Sequence, residues 1–372
     1  MVRPAWRNRC VQPPKGPLMR HIQEFRGAKL LVVGGAGFVG SNLCNLLLET
    51  DLKALVIVDN FLSAEKSNVP VDRRVQLIEG SIADDDVLKQ IPKQIDYVWH
   101  LACYHGNQSS IADPIADHDN NTITSLKLFQ FLSEQKSLKK VVYAAAGCAV
   151  AEKTYGDPVE TVEDAPVSLF HDSPYSISKL VGEMYGNYFF TQYQMPFVKA
   201  RFQNVYGPRE ILGAGKWRGT PATVWRNVTP TFIWKSLHGQ SLPLDNGGQS
   251  GRDFIYVDDI CRGLIACALA GQPGEAYNLS TGREILIRDW AAMINTITGN
   301  TAPVEIKPPR PWDNSGRRFG STIKSFDELG FVAEVATHDG LAKTVQWMSN
   351  NIEYIRSTIA KHDLEMSQYS KS

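Results

Sequence analysis

The chain has 372 residues, 43% of them hydrophobic, enough to bury a substantial core and too many for a disordered chain. Lys plus Arg and Asp plus Glu each number 39, so the formal net charge is zero and no electrostatic footprint for nucleic acid or an anionic membrane exists. The six cysteines (Cys10, Cys44, Cys103, Cys148, Cys261, Cys267) lack metal-ligand spacing, the first 20 residues lack the apolar stretch of a secretion signal, and no apolar run is long enough to span a bilayer. The expectations are reduced thiols, a cytoplasmic location, no metal, no membrane, and a small molecule as partner.

Residues 1–26 precede any periodic pattern and are expected to be a disordered extension, with Met19 as an alternative start. Residues 29–48 (KLLVVGGAGFVGSNLCNLLL) join an apolar strand, 30–33, to a helix in which Leu43, Leu46 and Leu47 restore helical spacing. Between them lie Gly34, Gly35, Gly37 and Gly40, and from Gly35 the dinucleotide fingerprint is satisfied literally. One glycine makes the turn, one lets backbone approach a pyrophosphate, and one packs helix on strand, while the helix N-terminus receives the negative charge. A second strand, 54–58, ends in Asp59, close to the spacing of about 20 residues expected for an acid that binds a ribose hydroxyl. Asn60 follows, with no arginine beside it to hold a 2′-phosphate. The cofactor expected is NAD rather than NADP, held by Gly34, Gly37, Phe38, Val39, Gly40, Asp59 and Asn60; an ordinary turn residue is the alternative for Asp59.

Residues 75–79, 96–102, 140–145 and 197–202 predict the third to sixth strands. An amphipathic helix over 119–135 carries Ile123, Leu126, Phe129 and Leu132 and is entered through Asp and Asn, and a long helix covers 174–192. This alternation predicts an α/β fold, a Rossmann-type doubly wound parallel sheet with a smaller α/β C-terminal substrate lobe. Beyond Tyr206 the alternation stops. The stretch GAGKWRGTPATVWRNV leads to a helix over 230–237, and strands at 252–259 and 277–279 are expected to return to the main sheet around a helix at 260–269. The domains expected are the extension 1–26, an NAD-binding domain 27–205 with returning segments 252–280, a substrate lobe of 206–251 and 281–350, and a C-terminal helix or tail 351–372.

Ser173 and Pro174 open the long helix as cap and first-turn residue. Tyr175 and Lys179, four apart, share one face of it. A nearby ammonium favours the phenolate, which must fall well below its reference value of about 10 if tyrosine is to act as a base near neutrality. Tyr-x-x-x-Lys alone is a common accident, and a surface pair on an amphipathic helix is the bland reading; after a dinucleotide fingerprint the pair is a catalytic candidate.

With these residues in hand the chain resembles the extended short-chain dehydrogenase/reductases, the nucleotide-sugar epimerase and dehydratase family typified by UDP-glucose 4-epimerase. The resemblance runs from residue 28 to about 350. Its marks are the GGAGFVG turn, VDN at Asp59, HLA at 100–102, DNN at 119–121, Tyr175 with Lys179, RFQNVYGP from Arg201, RDFIYVDDI from Arg252, YNLSTG from Tyr277 and RPWD from Arg310. HLACYHGNQSS, GAGKWRGTP and RPWDNSGRRFG look most like the WbmF-type bacterial branch that acts on UDP-linked acetamido sugars for O-antigen. The resemblance implies that Tyr175 takes the proton of the sugar 4-hydroxyl and that Lys179 holds the nicotinamide ribose. It also implies that Leu101 and Ala102 line the cofactor site, that Asn121 bends a helix behind it, and that the protein is a homodimer paired through the helices at 119–135 and 174–192. Asn204, Arg252 and Arg310 would hold the diphosphate and Asp313 the uridine ribose; forked guanidinium donors suit phosphate oxygens, although a surface salt bridge is the ordinary reading of either arginine alone.

One departure matters. The family follows its fifth strand with a serine or threonine that hydrogen-bonds the reacting hydroxyl, and here that position is Ala146. Cys148, a weak donor, Thr154, Ser109 and Ser110 remain open as replacements. The Asp-Glu pair of 4,6-dehydratases is missing, with Glu152 a few residues on, so an NAD-dependent nucleotide-sugar epimerase is expected ahead of a dehydratase or decarboxylase. A non-catalytic NAD-sensing protein is the distant alternative. Lys216, Trp217, Arg218, Trp225 and Arg226 suit either a sugar carboxylate or a solvated or dimer-contact loop. His100, His105 and His118 lack metal spacing and are expected to be structural.

Overall fold

The computed structural model describes residues 25–151, 154–211, 227–311, 313 and 316–361. Cys10, Met19, Glu152 and the cationic loop from Lys216 to Arg226 lie outside the described residues. Seven strands form one parallel sheet: β1 (Lys29–Val33), β2 (Ala54–Asp59), β3 (Val75–Glu79), β4 (Tyr97–His100), β5 (Lys140–Ala146), β6 (Phe197–Phe202) and β7 (Ala276–Leu279). Their spatial order is β7-β6-β5-β4-β1-β2-β3, with Leu30 of β1 beside Leu55 of β2 and Tyr97 of β4. The strand order reverses between β1 and β4, and the crevice beyond the carboxyl ends of the strands at that point is the usual ligand position in such sheets.

Alternate residues of the inner strands enter two separate cores. One face carries Leu30, Val32, Leu55, Ile57 and Trp99 against α1 (Phe38–Leu48) and the later helix Val257–Ala270, whose Leu264 carbonyl accepts from Trp99 Nε1 at 3.0 Å. The other face carries Leu31, Val33, Val56, Val98 and Val141 against α2 (Thr124–Ser133) and α3 (Pro174–Tyr193). Burial on both faces is why these strands read as unbroken apolar runs.

Two expectations change. The helix expected over 119–135 begins earlier: Asp113 accepts from Ala116 N at its cap, Pro114 occupies the first turn, and a π-helical turn at His118–Ile123 joins Pro114–Asp117 to α2. Asn121 is therefore an interior residue of a helical run, not a cap. The segment 252–259 does not return to the main sheet as one strand. Phe254–Tyr256 pairs in parallel with Asn204–Tyr206, Gly251–Arg252 pairs with Ile285–Leu286, and the helix already starts at Val257. Asp253 prevents a continuous strand, because its buried carboxylate accepts from Thr281 N, Thr281 Oγ1 and Gly282 N.

Candidate functional site

The glycine turn packs backbone on backbone. Gly34 has φ +83°, and a Cβ there would lie 2.5 Å from Ala102 N; at Gly40 a Cβ would overlap the Gly34 carbonyl. No side chain caps α1 at Gly37, so its first amides are left for a ligand. Gly34, Gly37, Phe38, Val39 and Gly40 line a cleft of about 730 Å³ at the carboxyl end of the sheet. Asp59 and Asn60 enter it from the end of β2, and Leu101 and Ala102 from the end of β4.

Asp59 is 8% exposed and spans two turns: Oδ2 accepts from Ala36 N and Oδ1 from Phe61 N, both at 2.9 Å. The side chain thus ties two turns together with both of its oxygens while lining the cleft. Asn121 stands behind the cleft and does not line it. Its amide is spent on Tyr104 N (2.7 Å), Tyr104 O (3.1 Å), Asp117 Oδ1 (2.8 Å) and Ser178 Oγ (3.2 Å).

Tyr175 and Lys179 lie on the buried side of α3, where Ser173 caps the helix by accepting from Ser176 N. Both reach the cleft. Lys179 Nζ donates to Ala144 O at 2.8 Å and sits 5.0 Å from the Tyr143 ring centroid. Contrary to the expected lowering, burial pushes the Tyr175 phenol well above its ordinary value, with Cys103, Cys148, Tyr143 and Asp117 adding to the effect. Arg201, on β6, braces α3 through a buried fork to Glu183 (3.0 and 2.8 Å) and reaches Glu163 O at 2.6 Å.

Ala146, at the end of β5, packs against Tyr175 and Ala149 with Cys148 beside them, so the expected hydroxyl position is apolar. Of the replacements considered, Cys148 and Ser109 line the cleft. Ser110 is buried with its hydroxyl on Asn107 O, and Thr154 accepts from Gly156 N in a turn; neither lines it.

Asn204, Arg252, Arg310 and Asp313 line the opposite end. Arg252 donates to Gly251 O (2.7 Å) and Gly316 O (2.6 Å); burial, with Arg318 adding, brings its guanidinium down to about 9. Arg310 pairs with Asp245. The sequence reading missed Ser81 and Ile82, which line the cleft just beyond β3, and Gln203, Arg318 and His105. The first two were accessible from the rule that ligands sit at strand ends; His105 had no signal beyond its nearness to the fourth strand. Among the described residues no cluster of His, Cys, Asp or Glu is arranged to hold a metal, and no helix is long and apolar enough to cross a membrane.

The fit to a dinucleotide rests on this geometry: uncapped amides on a turn with no room for a Cβ, an acid beyond them, and a lysine and tyrosine at the far end. The sequence profile described as the NAD dependent epimerase/dehydratase family matches residues 30–280. The chain is 53% identical to the Bordetella bronchiseptica enzyme WbmF, solved in complex with NAD+, covering 93% of this chain and 100% of that one at a TM-score of 0.82. It is 36% identical to the epimerase Mth375 of Methanothermobacter thermautotrophicus, over 92% of this chain and 98% of that one, at a TM-score of 0.85. A putative UDP-glucose 4-epimerase of Methanocaldococcus jannaschii is 28% identical over 87% of this chain and 99% of its own length. Fold, cleft and relatives agree with the resemblance read from the motifs, and the chain belongs to the NAD dependent epimerase/dehydratase family.

Proposed function

We propose that the protein is an NAD-dependent nucleotide-sugar epimerase that works on a UDP-sugar through a transient keto-sugar. The observation that carries the reading is the single cleft in which the glycine turn, Tyr175 with Lys179, and Arg252 with Arg310 meet. Bound NAD would supply a reversible two-electron acceptor for oxidation of a sugar carbinol. Gly34, Gly37, Phe38, Val39 and Gly40 approach the pyrophosphate with backbone, Asp59 and Asn60 face the adenosine ribose, and Leu101 and Ala102 wall the cofactor side. Lys179 fixes the nicotinamide ribose, and Tyr175 exchanges the proton of the sugar hydroxyl at Oη. Arg252, Arg310 and Asn204 hold the diphosphate, for which Arg310 exchanges its Asp245 pairing, and Asp313 takes the uridine ribose.

In this reading residues 27–205 with 252–280 bind NAD, and 206–251 with 281–350 bind the sugar nucleotide. Phe25, at the end of the expected extension, and Ile355, in the expected tail, are instead buried in the core and belong to the folded body. The protein works in the cytoplasm as a homodimer, supplying a sugar for a bacterial surface polysaccharide. WbmF was also solved with NAD+ and UDP together, which supports a uridine nucleotide here. Dehydration needs an acid to expel the 6-hydroxyl, and the end of β5 offers Ala146 and Cys148 instead.

The test is incubation of the purified protein with a panel of UDP-sugars and UDP-uronates, read by NMR. The expected product is a stereoisomer of unchanged mass. Loss of water or carbon dioxide would assign a dehydratase or decarboxylase, and no conversion of any sugar alongside tight NAD binding would favour the sensor.

A further inference from the structure

Tyr175 has a second partner in the cleft. His105 Nδ1 lies 3.4 Å from Tyr175 Oη, and the rings meet edge to face with centroids 5.4 Å apart. Both side chains line the cleft. The separation is at the outer edge of a hydrogen bond, a length common where the contact tightens only on substrate binding.

His105 is held there from both sides. The Asn121 amide grips both backbone polar groups of Tyr104, the residue before it. On the other side Gly106 takes φ +104° and turns the chain into the helix Asn107–Ala112. The π-helical turn that places Asn121 thereby places the imidazole. Tyr175 packs on Ala146 and Ala149, side chains that offer no hydrogen-bonding group, and Lys179 Nζ donates to Ala144 O. The charged and titratable groups around the phenol are Cys103 on the same loop, Cys148 after β5, Tyr143 on β5, Asp117 ahead of the π turn and Lys179 on α3. A buried phenol that must exchange a proton in these surroundings needs an acceptor within reach, and a neutral imidazole is suited to it.

We propose that His105 is the proton partner of Tyr175, accepting the phenol proton at Nδ1 as Tyr175 Oη takes up the proton of the sugar hydroxyl, and returning it when that hydroxyl re-forms. On the forward step the sugar O–H and the original Tyr175 O–H break while a new Tyr175 O–H and a His105 N–H form; the return step reverses all four. Only protons move in this relay, so it needs no oxidant or reductant of its own. It requires the neutral tautomer with the proton on Nε2. His105 meets Tyr175 from the loop after β4, a role separate from that of the hydroxyl absent at Ala146, which would meet the sugar from the loop after β5. The assignment rests on Tyr175 being the base of the proposed epimerase reaction.

The experiment combines a histidine-labelled NMR titration of the purified protein with turnover of UDP-glucose and UDP-N-acetylglucosamine. The His105 resonance is identified by its loss in His105→Gln. In Tyr175→Phe its titration midpoint is expected to move by about one pH unit, because the hydrogen-bond partner is gone. An unmoved midpoint overturns the relay whether or not either sugar reacts. With a reacting sugar, His105→Gln is expected to lower kcat by about 10²-fold with little change in KM, and to retain NAD. Full turnover in His105→Gln beside an inactive Tyr175→Phe would overturn the relay alone; full turnover in Tyr175→Phe would remove the base on which the epimerase mechanism depends.

Discussion

Asp59 accepts from Ala36 N and Phe61 N through its two oxygens, so replacing it disturbs the glycine turn as well as the ribose end of the cleft. Asp59→Arg brings a cation suited to a 2′-phosphate but strips the buried Ala36 amide and the half-buried Phe61 amide of their acceptor, a loss of about 1–3 kcal/mol for the buried donor left unsatisfied. We expect the variant to lose NAD affinity, gain relative affinity for NADP, and melt at lower temperature; cofactor titrations and a melting curve on the same preparation check all three. Wild-type preference for NADP would contradict the reading of this acid. Ala146 lies at the cleft wall against Tyr175, and Ala146→Ser adds one hydroxyl at a place where the family keeps one. The expected result is a folded enzyme with turnover equal to or above wild type, and Cys148→Ala is the companion variant. A fall of about 10² in kcat for Cys148→Ala would make that thiol the working donor.

The helix α3 shows how sequence becomes geometry at the level of an element. Tyr175, Lys179, Gly182 and Gly186 follow one another at helical spacing down its inner side. A Cβ on Gly182 would overlap the Tyr143 hydroxyl and one on Gly186 the Phe197 ring, so the helix axis lies as near the sheet as backbone permits. Gly186→Ala should destabilise the fold by about 1–3 kcal/mol through overpacking, measurable by urea denaturation, with a fall in kcat as the helix lifts Tyr175. The outer side carries Ile177, Met184 and Tyr188, 50%, 55% and 49% exposed, an apolar stripe that suits the proposed two-fold pairing. Met184→Glu is expected to shift a dimer toward monomer in light scattering while leaving NAD binding intact; a wild-type monomer at micromolar concentration would contradict the pairing. Strands β1 and β2 were legible to within a residue because a strand covered on both faces is an apolar run bounded by turn residues. The paired segments around Arg252 and Phe254 were not, since two or three residues carry no period. The bend at Asn121 came from the family resemblance and not from the chain's own pattern, because its side chain answers to the Tyr104 backbone 17 positions away, a tertiary contact. The same reason hid His105: its partner on α3 is 70 residues distant.

At the scale of the whole molecule, His100, the last residue of β4, is a titratable group sealed inside the core beneath α2 and α3. Its imidazole is fully buried between Phe129 and Tyr143, with Nε2 3.0 Å from Ser125 Oγ. Burial, with Lys179 adding, brings its pKa from 6.5 down to about 3. Between those values the unfolded chain holds a proton that the folded chain does not, so stability is full above about 6.5 and drains away as the pH falls toward 3. Each pH unit within that window removes at most about 1.4 kcal/mol. Unfolding midpoints in urea measured from pH 7 to pH 4 should therefore fall, and His100→Gln should flatten the slope while lowering stability at neutral pH; an unchanged slope would assign acid sensitivity to other groups. Because the two sides of α3 answer to different neighbours, the proposed reaction and the proposed pairing fall on opposite faces of one helix. Substitutions on the outer stripe can accumulate without touching the tyrosine or the lysine, while the inner glycines admit almost none. A change of partner at the outer face therefore leaves the cleft-facing side of the helix untouched.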